Sequence, residues 1–289
     1  MKHNYDHIDN NSLPAKTPEG FFQRMEIPFE KTPEDVWAKL DERISGVPSR
    51  KISAFKSYRF SLSIAAAVLL LAGTFSLLRF YTASVICPSG QHLSYLLPDG
   101  SSVEMNADSK MKLKPLWWRF SRQVNFEGEG YFKVEKGNKF EVISKIGRTA
   151  VLGTSFNIYS RDHEYKVTCF TGKVKVVSFS SNEAVLGPEY EASVDADGNI
   201  AVHKDVNAVE TQIWISNRFN FTARPLIQVL NEIGRQFDVI ITAQALPDYS
   251  YTGYFTKDRP VEEVLALVCK PFGLTFARIS EKEYEIYQN

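Results

Sequence analysis

The chain has 289 residues, and 34 Lys and Arg offset 34 Asp and Glu, so its formal net charge is zero. That balance leaves no basic footprint and argues against direct nucleic-acid binding. The length allows one or two domains beside smaller segments, and 13% aromatic content, with 20 Phe and 13 Tyr, fits a β-rich body.

Residues 1–59 are too few to bury a substantial core. The first twenty are polar, with Pro14 and Pro18 among them. Order is expected from Thr32: this residue suits an N-cap, Pro33 the first helical position, and Asp35 the third residue after the cap. Val36, Trp37, Leu40 and Ile44 then recur at helical spacing and form one apolar stripe, with Phe21, Phe22, Ile27 and Phe29 as further apolar anchors upstream. The stripe admits two readings. One is a small, self-packed helical hairpin; the other is a segment that completes its core on a partner, presenting Trp37 and its neighbours to a groove. Residues 45–49, Ser-Gly-Val-Pro-Ser, break the helix before a basic flank.

Residues 60–78 read FSLSIAAAVLLLAGTFSLL between Arg59 and Arg79, without a charged side chain. As a helix this stretch is about 28 Å long, the thickness of a bilayer's hydrocarbon core. Ten of its residues are Leu, Ile, Val or Phe; near the membrane centre they favour insertion by about 3–6 kcal/mol in total. A buried helix of a soluble protein seldom runs this far without a polar face, and a signal peptide would lie at the extreme N-terminus with a shorter apolar region. The segment reads as a retained anchor. Arg50, Lys51, Lys56 and Arg59 precede it while only Arg79 follows closely, which places the N-terminus in the cytoplasm and the C-terminus outside.

Past this span the apolar period changes to two. Leu96-Leu97-Pro98-Asp99-Gly100-Ser101 is a turn, and strands are expected over 103–106, 123–126, 131–134, 140–143, 155–159, 165–170 and 174–179. Asp195-Ala196-Asp197-Gly198-Asn199 turns a further hairpin. Short strands with Gly-bearing turns predict an antiparallel sandwich or open barrel-like domain over 88–205. From residue 212 the pattern alters again. Phe219-Asn220-Phe221 reads as a strand, and Leu226, Val229, Leu230, Ile233 and Phe237 as a helix stripe. Val239-Ile240-Ile241 reads as a buried strand and 249–255 as another. A second helix begins at Pro260, and two closing strands follow. Arg224-Pro225 and Arg259-Pro260 each precede an apolar helix, a weak internal repeat. The fold class is therefore a single-pass membrane protein: a short helical inner segment (1–59), one transmembrane helix (60–78), an outer all-β, sandwich-like domain (88–205) and a small α+β domain of two β-α-β units (212–289).

Chemistry is sparse. His3, His7, His92, His163 and His203 have no metal-ligand spacing with any cysteine pair, so neither metal nor cofactor is expected. Cys87, Cys169 and Cys269 are odd in number and widely spaced, which excludes a disulfide framework, and Ala83-Ser84-Val85-Ile86 makes a poor lipobox for Cys87. Ser109-Lys110-Met111-Lys112 matches the S-x-x-K of serine acyl-enzymes but falls in strand sequence rather than at a helix start. Asp195-x-Asp197-Gly198 lacks the further ligands of a calcium loop, and Gly128 and Gly130 open no helix that could cradle a nucleotide. No carboxylate pair or triad stands out, so a turnover enzyme is not expected.

Four motifs in fixed order carry a resemblance. They are Leu97-Pro98-Asp99-Gly100-Ser101 with Asn106-Ala107-Asp108-Ser109; Arg122-Gln123-Val124 leading into Glu127-Gly128-Glu129-Gly130-Tyr131-Phe132-Lys133-Val134; Val151-Leu152-Gly153-Thr154-Ser155-Phe156-Asn157-Ile158; and Thr171-Gly172-Lys173-Val174. The outer domain so marked resembles that of FecR-family anti-sigma regulators, and with the span the likeness covers most of the chain. The last seventy or so residues resemble the short secretin/TonB N-terminal-type domain found at the C-terminus of such regulators. Ile27-Pro28-Phe29-Glu30-Lys31 and Val36-Trp37 resemble their short cytoplasmic segments.

The resemblance implies a relay across the cell envelope, from an inner membrane crossed once. The signalling domain of an outer-membrane TonB-dependent transporter meets the outer part, and the inner segment holds an extracytoplasmic-function (ECF) sigma factor, with Phe29, Val36, Trp37, Leu40 and Ile44 as its contacts. Transmission through one helix is awkward by rigid-body motion, whereas envelope proteases acting in turn would free the inner segment. Some family members cleave themselves between the Gly and Thr that here are Gly153 and Thr154, where a strained peptide would let the Thr154 hydroxyl attack the Gly153 carbonyl. The alternative is that Gly153 permits a tight strand and Thr154 packs within it. Ala65, Ala66, Ala67, Gly73 and Thr74 make the span rich in small residues, which suits an intramembrane protease or helix–helix contact equally. The competing function is an envelope structural or assembly protein that docks to an outer-membrane complex through its last domain.

Overall fold

The computed structural model describes residues 31–46, 54–204, 206–243 and 246–288. The chain divides into two units, Met1–Ala65 and Ala66–Asn289, and one long helix runs from the first into the second.

In the first unit, α1 (Pro33–Ser45) begins as its sequence dictates. Asp35 N–H donates to Thr32 Oγ1 at 3.4 Å while Thr32 N–H donates to Asp35 Oδ2 at 3.3 Å, a reciprocal capping box with Pro33 at the first position. Caps of this kind are worth about 1 kcal/mol. Glu34 and Asp35 in the first turn and Arg43 in the last complement the helix dipole. None of its side chains is buried.

Helix α2 (Ala54–Phe80) is longer than the expected 60–78. Its segment Tyr58–Phe80 is long and apolar enough to cross a membrane, and none of it is buried within the protein. Ser63 and Thr74 return their hydroxyls to the helix, donating to the carbonyls of Arg59 at 2.9 Å and Leu70 at 2.7 Å. A helix apolar all round and, among the described residues, nowhere buried is consistent with a single-pass membrane protein.

A β-rich body follows. Its strands are β1 (Ala83–Cys87), β2 (Leu93–Leu96), β3 (Ser102–Met105), β4 (Ser109–Leu113), β5 (Arg122–Lys133), β6 (Phe140–Ile143), β7 (Gly147–Val151), β8 (Ser155–Arg161), β9 (Glu164–Thr171), β10 (Val174–Ser178), β11 (Glu183–Leu186), β12 (Glu191–Val194) and β13 (Ile200–His203). They form a 13-stranded sheet in two arms that share β5. One arm runs β1-β4-β5-β6-β7-β10-β11, the other β2-β3-β5-β8-β9-β12-β13. The sequence predicts separate strands at 123–126 and 131–134; they are one. The first half of β5 pairs with β4 and, in parallel, with β6, and its second half with β3 and β8. Gly128, at φ +119°, lets the strand change arms without breaking, and a Cβ there would stand 2.6 Å from Ser109 Cα. Side chains from both arms meet in one core. At its centre Phe132 of β5 stacks on Phe156 of β8 at 5.2 Å and takes the edge of Phe126 at 5.2 Å.

After the four-residue helix α3 (Ala208–Thr211) come β14 (Arg218–Pro225), α4 (Leu226–Phe237), β15 (Ile240–Ala243), β16 (Ser250–Thr256), α5 (Val261–Cys269), β17 (Leu274–Ser280) and β18 (Glu283–Gln288). They build a second core from Leu226, Val229, Leu230 and Ile233 of α4 with Val264, Leu265 and Val268 of α5. β14 and β16 form a two-stranded sheet bulged between Phe221 and Arg224; β15, β18 and β17 form another, with β15 parallel to β18. β15 is not the buried strand its apolar run predicts. It is an edge strand, and Ile240 is 63% exposed.

Candidate functional site

Two places answer to the residues singled out by sequence, and a third does not. The first is α1. Val36, Trp37, Leu40 and Ile44 lie along it with their side chains in solvent, Trp37 at 70% exposure. An amphipathic helix whose apolar stripe the described residues leave uncovered has the form of a docking element. Phe29 lies outside the described residues.

The second is Gly153-Thr154, between β7 and β8. Gly153 sits at φ +154°, with Lys136 Cα only 2.8 Å from where a Cβ would stand, so only glycine fits. Thr154 is buried and its hydroxyl donates to the Lys173 carbonyl at 3.1 Å. A Cβ on Gly172 would meet Thr154 Oγ1 at 3.0 Å and the Gly153 oxygen at 3.2 Å, so the hydroxyl and the carbonyl before it both lie against Gly172. The groove beside them holds Lys136, Lys139, Lys173 and Lys175 and is lined by no histidine or carboxylate. The nucleophile and its electrophile are neighbours there, with lysines as the titratable groups of the groove.

The third was not legible from sequence, which offers no carboxylate pair. The structure joins Glu129 of β5 and Glu232 of α4 in one buried polar cluster where the β body meets the last domain. Glu129 accepts from Asn106 Nδ2 at 2.8 Å and Asn157 Nδ2 at 3.2 Å. Gln236 donates to Asn106 Oδ1 at 2.7 Å and to Glu232 Oε1 at 2.8 Å, and its carbonyl oxygen faces His92 Nε2 at 3.1 Å. Arg161, its side chain only 5% exposed, donates to the Ala107 carbonyl at 2.5 Å and to Ser109 Oγ at 3.1 Å, and stands 3.6 Å from Glu232. Arg235 donates to Glu232 Oε2 at 3.0 Å. Three of the four resemblance motifs thus converge on one point: Asn106 and Ser109, Glu129, and Asn157. The S-x-x-K serine is structural, its hydroxyl exchanging hydrogen bonds with the backbone of Glu129. The signal available in the sequence was Glu129 itself, a carboxylate between two glycines inside a strand.

The two acids differ in character. Burial pushes the Glu129 carboxyl up, and the charge of Glu232 adds to this against Arg161 and the two asparagines. Burial also lifts Glu232, but Arg161, Arg235 and the hydrogen bonds from Gln236 and Arg235 outweigh it and hold Glu232 below the usual carboxylate range. Burial lowers His92. With two guanidiniums and two carboxyls, the cluster ties the β body to the last domain; Asn157 Oδ1 and the Arg161 Nε and Nη1 are buried in it without a hydrogen-bond partner.

The remaining candidates are inert. Cys87, Cys169 and Cys269 are free and buried, and burial pushes Cys169 and Cys269 up to about 11, far from a reactive thiolate. Among the described residues no group of three or more His, Cys, Asp or Glu could hold a metal ion.

Comparison with known proteins follows this geometry. Residues 83–175 match the family model described as FecR protein, and residues 218–286 the model described as FecR, C-terminal. No curated protein sequence matches the chain. Two crystal structures of a protein described as a candidate anti-sigma factor from Parabacteroides distasonis ATCC 8503 are similar. The 2.50 Å structure gives a TM-score of 0.66 at 24% identity over 72% of this chain and 100% of that one. The 1.65 Å structure gives 0.65 at 24% identity over 72% and 99%. At that identity the likeness speaks for the fold.

Proposed function

This chain belongs to the FecR family of anti-sigma factors, and on that premise we propose that it relays a signal from outside the inner membrane to an ECF sigma factor held in the cytoplasm. The observation that carries the reading is α1: a well-capped helix with an apolar stripe that the described residues leave in solvent, on the basic-flanked side of a helix long enough to cross a bilayer. Val36, Trp37, Leu40 and Ile44, with Phe29 upstream, seat in a groove of the sigma factor. Arg50, Lys51, Lys56 and Arg59 hold that side in the cytoplasm, and the β body and last domain face the periplasm.

There the last domain, akin to the short secretin/TonB type, receives the signalling domain of an outer-membrane TonB-dependent transporter, with the open edge of the two-stranded β14–β16 sheet available for strand addition. Envelope proteases then release the inner segment. Self-cleavage at Gly153-Thr154 is favoured by the left-handed Gly153 and the hydroxyl beside its carbonyl. It needs a base, and the surrounding groove offers lysines but no histidine or carboxylate for that task.

The test is transcriptional. Trp37→Ala with Leu40→Ala strips the centre of the stripe without touching the cap, and should abolish retention of the sigma factor in a pull-down and change sigma-dependent reporter output several-fold. Unchanged reporter output and retention would refute sigma binding by α1 and favour an envelope docking role.

A further inference from the structure

The register of the first strands dictates what stands beside the end of α2. Only Tyr81 and Thr82 separate α2 from β1, and β1 pairs with β4 so that Ala83 faces Leu113. The chain leaving β4 therefore emerges next to the helix end. Residues 114–121 at that point read Lys-Pro-Leu-Trp-Trp-Arg-Phe-Ser. The two tryptophans part there. Trp118 turns inward, buried edge-on to Phe140 at 6.0 Å. Trp117 turns the other way: it lies tilted on Phe120 at 4.5 Å and edge-on to Phe75 of α2 at 5.8 Å, with the Arg79 guanidinium 5.3 Å from its ring centre. Leu116 and Phe120 are exposed, Phe120 at 71%, and the exposed Arg119 lies between them in the chain.

Depth follows from the helix. Phe75 precedes the last residue of α2, Phe80, by five positions, ~7.5 Å along the axis. Apolar faces seat ~5–10 Å into the boundary between headgroups and acyl chains. An exposed Leu and Phe beside a Trp at that depth, with Lys114 and Arg119 interspersed, is the composition of a bilayer interface.

We propose that residues 114–121 are a membrane foot, resting on the reading that α2 spans the bilayer. Leu116 and Phe120 enter the interface of the bilayer that α2 crosses, Trp117 lies at headgroup level, and Lys114 and Arg119 meet anionic lipid phosphates. The foot fixes the height and tilt of the β4 end of the β body over the membrane.

The test uses the full chain in vesicles of phosphatidylethanolamine and phosphatidylglycerol. Because the three native cysteines are buried, Ser121→Cys takes an environment-sensitive fluorophore selectively. The proposal expects blue-shifted emission, stronger quenching by shallow than by deep spin-labelled lipid, and loss of both in Leu116→Ser with Phe120→Ser. Flotation after carbonate washing reports separately on α2. A chain that does not float contradicts the spanning reading and the foot with it. A chain that floats while its probe stays in water overturns the foot alone. A probe shielded only at high protein-to-lipid ratio, and insensitive to spin-labelled lipid, assigns the loop to another copy of the chain and also overturns the foot.

Discussion

Glu129 and Glu232 share one buried cluster, yet replacing each by its amide should have opposite consequences. Glu232 is the partner of two guanidiniums, Arg161 at 3.6 Å and Arg235 at 3.0 Å, whose side chains are 5% and 12% exposed. Glu232→Gln removes that charge and turns an amide N–H₂ toward donors. Breaking a buried pair on one side costs about 3–5 kcal/mol, and at about 2–4 °C per kcal/mol for a body of this size Tm should fall by about 6–20 °C. Glu129 has been driven the other way, its carboxyl raised by burial. Glu129→Gln keeps the shape, and its new N–H₂ can donate to Asn157 Oδ1, a buried oxygen without a hydrogen-bond partner, once that amide turns over. Its Tm should stay within about 2 °C of the parent or rise above it at neutral pH.

The pH dependence separates them further. A lowered folded value means that Glu232 contributes stability above its ordinary 4.5 and loses it as pH falls through the folded value. The gap between parent and Glu232→Gln should therefore close in acid. A raised value means that Glu129 favours folding below 4.5, and that contribution is lost as pH rises through the folded value. Any advantage of Glu129→Gln should therefore grow toward neutral pH. Thermal unfolding of the full chain in detergent, followed from pH 8 down to about 2 so that it passes well below 4.5, measures both. Equal losses from the two substitutions would refute the division of roles.

Gly153→Ala places a Cβ 2.8 Å from Lys136 Cα at a φ that L-residues avoid; it should cost about 1–3 kcal/mol in denaturant unfolding, and an unchanged midpoint would contradict the strain. If the bond before Thr154 is cut, an immunoblot should show outer fragments beginning at Thr154 that Thr154→Ala abolishes; an uncut chain under inducing conditions removes self-cleavage from the mechanism. Leu70→Arg at mid-helix adds about 2.5–3.5 kcal/mol to insertion, which cancels most of the favourable transfer of α2, so membrane flotation should drop sharply.

Local features were readable in the sequence because their causes are local. Thr32, Pro33 and Asp35 start α1 wherever the rest of the chain lies, and the run 60–78 has a single plausible solvent. Alternation found most strands but misread β5 as two, since the glycines that signal a break in a free strand here let one strand serve two arms. The run Val239-Ile240-Ile241 was apolar enough to be buried, yet pairing on one side only leaves Ile240 in solvent. The Glu129 cluster was illegible for a different reason. Its members come from β4, β5, β8, α4, the turn before β4 and the loop before β2, and no periodicity links Glu129 to Glu232. The same holds at Trp117-Trp118, where composition cannot say which ring turns to the core.

The whole account depends on α1 and the β body lying on opposite sides of a bilayer. Alkaline phosphatase, active only outside the cytoplasm, tests this when it is inserted after Gly46 with the rest of the chain retained and, separately, fused after Asn289. The account predicts activity from the fusion after Asn289 and none from the fusion after Gly46. The same activity from both would leave no membrane between α1 and the surface that receives the signal, and would contradict the relay.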